Sequence, residues 1–142
     1  MRPTWTIIFF VCISVQCKSQ DFDKSHNWRI YDAGGPDAFL YPLDTIMKFP
    51  DYALNDDSIG FFLSHIQRIV KEHTPVWMGS PHLATYQMAD STYTIYISHY
   101  AGFFFDTRTK KYFQIAKEDI DDWHTYIREC FISLRNRKQR QK

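Results

Sequence analysis

Six histidines, three cysteines and sixteen carboxylates are the groups in this 142-residue chain that could carry chemistry, and their spacing decides which kind. His65 and His73 stand eight residues apart, too far along one helix to share a metal ion. His82 and His99 fall on or beside expected strands, where a ladder could bring either one to a carboxylate such as Asp106. That pair would suit general acid–base hydrolysis. Asp121 and His124 are three apart on an expected helix, the spacing of a local ion pair. No His-Glu-x-x-His, Cys-x-x-Cys or Gly-x-Ser-x-Gly pattern occurs, so neither a zinc centre nor a nucleophile elbow is indicated. No catalytic residue, metal ligand or cofactor is assigned. The glycines of GGPD (residues 34–37) permit close backbone approach to a ligand, but such a stretch reads first as a turn.

A different kind of chemistry is written in TYTIYISHY, residues 92–100. On a strand, alternate residues share a face. Tyr93, Ile95 and Ile97 then make an apolar face, and Thr94, Tyr96, Ser98 and Tyr100 make one of hydroxyls and aromatic rings. Tyrosine offers a large contact area at low entropic cost and keeps a polar tip. These four residues are therefore the candidate partner-binding surface. The competing expectation is that an aromatic amino-terminal hairpin, with Trp28, Tyr31, Phe39 and Tyr41, folds over them.

Compartment is read from the start of the chain. Arg2 precedes an eleven-residue apolar run, WTIIFFVCISV (residues 5–15), which is followed by polar QCKSQD. That length matches the core of an export signal and falls short of the ~20 residues that span a bilayer. Residues 1–19 are thus expected to be a signal peptide. The stretch SVQCKSQDFD resembles a bacterial lipoprotein signal, and the resemblance implies that Cys17 becomes the lipidated first residue. Gln16 departs from the small residue usual before such a cysteine. Ordinary cleavage after Ser19 is the alternative, giving a secreted rather than a tethered chain. With Cys12 and Cys17 accounted for in this segment, Cys130 is left alone, and a disulfide within the domain is not available. Hydrophobic burial has to stabilise the fold.

Charge is divided unevenly. Residues 18–134 hold 11 basic and 16 acidic side chains, and RNRKQRQK (residues 135–142) adds five basic ones. A short basic tail on an acidic body indicates a solvated helix end or contact with anionic lipid rather than nucleic acid.

The elements that must position these groups follow from periodicity. Residues 20–27 form a polar, flexible lead, and residues 28–134 one domain. Apolar runs at 28–31 and 39–43 around DAGGPD predict a hairpin, and Asp44 a capped helical turn before Pro50. Ile59, Phe62, Leu63, Ile66, Ile69 and Val70 recur at helical steps, predicting a helix that runs to Pro75. Strands follow at 76–78, 83–88, 92–100, 103–106 and 112–115, with connections short enough for antiparallel hairpins. From about Lys117, Ile120, Trp123, Ile127, Cys130, Phe131 and Leu134 form the stripe of a closing helix. The expected fold is α+β: an antiparallel sheet of four to five strands with two amphipathic helices packed on one face.

Size, export and the lack of a catalytic pattern point to a non-enzymatic module that binds another protein. A periplasmic inhibitor or immunity-type protein is the concrete form of that reading. A small hydrolase using His82 or His99 with Asp106, or a module holding a small ligand, are the alternatives.

Overall fold

In a computed structural model the described residues are 22–33, 37–69, 81–98 and 102–140. The expected strands at 76–78, the signal segment with Cys17, and His73, His99 and Tyr100 lie outside them.

The fold is α+β around one antiparallel sheet of seven strands in the order β2-β1-β4-β5-β6-β7-β3. The strands are β1 (His26–Tyr31), β2 (Asp51–Ala53), β3 (Gln67–Arg68), β4 (His82–Met88), β5 (Ser91–Ser98), β6 (Phe103–Asp106) and β7 (Lys111–Gln114). The helices are α1 (Leu43–Ile46), α2 (Asp56–Ser64) and α3 (Ile120–Arg140). The expected count of four to five strands and two helices was therefore too small. The added strands β2 and β3 are too brief to show a period, and α1 is the helical turn expected before Pro50, not counted among the two amphipathic helices. Both edges of the sheet are among these short strands, which limits the unpaired backbone available for pairing with another chain.

The meander β4–β7 follows the alternation in the sequence. Leu83, Tyr96, Phe105 and Tyr112 occupy one row of Cα partners, and Ile97, Phe104 and Phe113 the next. The second row faces α2 and α3. Trp28, Ile30, Ala84, Tyr86, Ile95, Ile97, Phe104 and Phe113 meet Ile59, Phe62 and Leu63 of α2 and Trp123, Ile127 and Cys130 of α3 there. Phe22 joins this cluster, with its ring 5.1–5.8 Å from those of Phe113, Tyr86 and Trp28. The segment expected to be a flexible lead thus packs into the core from Phe22 onward, because an aromatic side chain this size gains by burial.

Two other expectations give way. Residues 39–43 do not pair with β1. Residues 38–40 form a 3-10 turn and Pro42 sits at the N-cap of α1, where its missing N–H costs nothing. β1 takes β2 and β4 as neighbours instead. The second helix is also shorter than its stripe. Asn55 caps α2 by accepting from Ser58 N at 2.9 Å, and the helix stops at Ser64, whose Oγ donates to Phe61 O at 2.6 Å. Beyond it, Gln67 and Arg68 pair with β7 as an edge strand.

α3 carries its polarity past the core. Asp121 and Asp122 open it, Arg137, Lys138 and Arg140 close it, and both ends complement the helix dipole. Lys138 forms an ion pair with Asp32, and the Arg137 guanidinium lies 5.0 Å from the Tyr52 ring centroid. Part of the basic segment is therefore docked over β1 and β2.

Candidate functional site

The hydroxyl–aromatic face of β5 does lie opposite the helices, but it is covered. Thr94, Tyr96 and Ser98 are all buried, Tyr96 to 6 % exposure. The cover is residues 37–49. Ala38 and Ile46 are fully buried in a second cluster with Tyr31, Ala33, Leu83 and Tyr96, flanked by Tyr41, Phe49 and Phe105. The Phe39 ring sits 4.5 Å from that of Tyr96, and Tyr96 Oη donates to Phe39 O at 3.3 Å. Burial raises the Tyr96 pKa, as it must for a phenol withdrawn from water. The expectation of an open face at Thr94, Tyr96 and Ser98 is corrected here. The amino-terminal segment covers it, as a turn and short helix rather than a hairpin.

Tyr96→Ala is accordingly expected to lower stability by about 3 kcal/mol or more, detectable as a fall in melting temperature. An unchanged melt would mean that residues 37–49 do not seat on this face.

The proposed histidine–carboxylate pair is not assembled by the described residues. Asp106 is fully buried, and its oxygens accept from Tyr86 Oη at 2.8 Å, Thr109 Oγ1 at 2.8 Å and Arg108 N at 3.2 Å. Arg108 Nε also donates to Tyr86 Oη at 3.0 Å, and its guanidinium lies 5.7 Å from the Tyr93 ring centroid. Asp106 thus fixes the β6–β7 turn. His82 packs its ring 4.3 Å from Phe131 on α3 and belongs to the row of Ile97 and Phe104, while Asp106 belongs to that of Ile95. His65, expected inside a helix, caps α2 and places Nδ1 3.2 Å from Asp119 Oδ2. Among the described residues no group of three or more histidine, cysteine or carboxylate side chains is placed to hold a metal ion.

Cys130 is buried on the stripe of α3, and burial pushes its thiol from 9.0 up to about 11. Tyr86 and Tyr126 are driven upward for the same reason. All three hold their protons more tightly folded than unfolded, so their contribution is complete below the unfolded values and is lost as pH rises through the folded ones. Unfolding free energy should therefore fall with pH above about 9, and Cys130→Ala should soften that fall. Denaturant titrations from pH 7 to 11 check both.

Two surface features remain that sequence reasoning did not single out. Phe39, Leu40 and Met47 project outward from the covering segment at 42 %, 76 % and 55 % exposure. The signal for Phe39 and Leu40 was the apolar run in FLYPL, which was read as strand, while Met47 falls within the expected helical turn. The second feature is a cavity of about 220 Å³ between residues 22–28 and α2, lined by Phe22, Asp23, Ser25, Trp28, Asp56, Ile59, Gly60, Leu63 and Ser64.

No family model matches the chain, and no curated protein or solved structure proved significantly similar to it. The functional reading rests on the site itself.

Proposed function

We propose that this protein is a small exported, non-enzymatic module that binds another protein, with Cys17 as a candidate lipid anchor and inhibition of a secreted protein as its concrete form. The observation that carries the reading is the outward-facing group Phe39, Leu40 and Met47. Phe39 packs one side of its ring on Tyr96, but Leu40 and Met47 belong to neither buried cluster, so folding gives no reason for large apolar side chains at those two positions. Large apolar groups exposed on one short covering segment suit a contact surface, and a partner that excludes water from them supplies the missing burial. Asp37, Asp44 and Lys48 along the same segment provide the polar rim such surfaces have.

Site-specific photo-crosslinking in the native host tests this. A cross-linker at position 40 or 47 should give one discrete adduct with a second protein, and one at Glu129, on the exposed side of α3, should not. Adducts only with a second copy of the chain, or none at any position, would overturn the reading. Leu40→Ser with Met47→Ser should remove the adduct from a cross-linker at Phe39 while leaving the melting temperature within about 2 °C, since neither side chain belongs to the buried clusters.

A further inference from the structure

We infer that the cavity between residues 22–28 and α2 binds a primary ammonium or guanidinium group carried on an apolar stem. Its lining is mixed: the buried side chains of Phe22, Trp28, Ile59 and Leu63 close its inner end with little apolar surface open, and most of what it exposes is polar. Its polar side chains present acceptors. Ser25 Oγ gives its proton to Phe22 O at 2.6 Å and accepts from Trp28 Nε1 at 3.0 Å. Ser64 Oγ gives its proton to Phe61 O. The remaining polar side chains are the exposed carboxylates of Asp23 and Asp56, and neither has a hydrogen-bond or ion-pair partner among the described residues. The start of α2 carries a partial positive charge of about half a unit, which the carboxylates of Asp56 and Asp57 outweigh. A ligand suited to this site must donate hydrogen bonds and carry positive charge, with a short apolar stem to meet the small apolar surface at the inner end.

Gly60 supplies the independent argument. A helical glycine costs about 1 kcal/mol relative to alanine. Gly60 does not adopt the left-handed backbone that would call for glycine; Gly102 is the described glycine that does. Nor does a neighbour press on it, since a Cβ there would meet no atom within 4 Å. Gly60 is exposed, and glycine there leaves the mouth of the cavity open to solvent. At about 220 Å³ the cavity is smaller than the ~300–1,000 Å³ of sites for drug-sized molecules, which suits one side chain or one short amine. It lies on the helix side of the sheet, away from Phe39, Leu40 and Met47, so this inference stands or falls independently of the proposed partner surface.

The test is an NMR titration of the Trp28 indole N–H signal. The probes are n-butylammonium, Nα-acetyl-lysine N-methylamide, and the neutral analogues 1-butanol and Nα-acetyl-norleucine N-methylamide. Saturable shifts are expected with at least one charged probe, and at least tenfold weaker binding with its neutral counterpart. If the blocked lysine binds as well as the free amine, the ligand is a protein side chain. If the free amine alone binds, it is a small amine. Asp23→Asn with Asp56→Asn should weaken binding about tenfold without unfolding the domain. Gly60→Leu should abolish it, and the melting temperature should hold or rise. No saturable shift with either charged probe, equal binding of the neutral ones, or an unaltered titration in Gly60→Leu would overturn the inference.

Discussion

Trp123→Ala should destabilise the domain by about 3–5 kcal/mol, lowering the melting temperature by roughly 12 °C or more for a domain this size. Trp123 is fully buried, with its ring 5.2 Å from Phe62 on α2 and 5.0 Å from Phe104 on β6. It therefore joins both helices and the sheet at one point, and neither neighbour can move into the void without leaving its own contacts. Trp123→Phe should cost clearly less. It keeps most of the volume, and the indole N–H it removes has no hydrogen-bond acceptor among the described residues. Equal losses for the two variants would mean that a polar contact, not packing, holds α3 to the sheet.

The second large effect is expected at Asp106. Removing one partner from a buried, hydrogen-bonded charge group typically costs 3–5 kcal/mol, and Asp106→Ala should fall in that range. Three donors lose their acceptor at once: Tyr86 Oη, Thr109 Oγ1 and Arg108 N. Tyr86→Phe should cost only about 1–2 kcal/mol, because Asp106 keeps its other donors. A double-mutant cycle between positions 86 and 106 should show coupling, since the two side chains share a hydrogen bond. Additive losses would dissociate them and undo the account of the β6–β7 turn.

These expectations show how far the sequence could be read. The meander and the closing helix were legible because each has a long, unmixed period: alternation through β4 and β5, and a three–four stripe from Ile120 to Leu134. The end of α2 was not. Ile66, Ile69 and Val70 continue the helical spacing past Ser64, so periodicity alone extends the helix. Pairing of Gln67 and Arg68 with a strand some forty-five residues later decides otherwise, and that is a long-range fact. The β5 face failed for a related reason. Local pattern separated Tyr96 from Ile95 and Ile97 correctly, but whether Tyr96 meets water depends on where residues 37–49 settle. The cavity was illegible because it is made by shape.

The position of β1 inside the sheet, between β2 and β4, has a consequence for timing. β1 leaves the ribosome early, yet its inner partner β4 begins at His82, and the face they share is closed by α3, whose last contacts reach back to Asp32 and Tyr52. At about 5–20 residues/s, synthesis from His26 to Arg140 takes roughly 6–23 s. Throughout that interval the amino-terminal strand has no finished structure to join. The architecture thus makes completion of the sheet and its cover wait on α3, the last helix of the described residues.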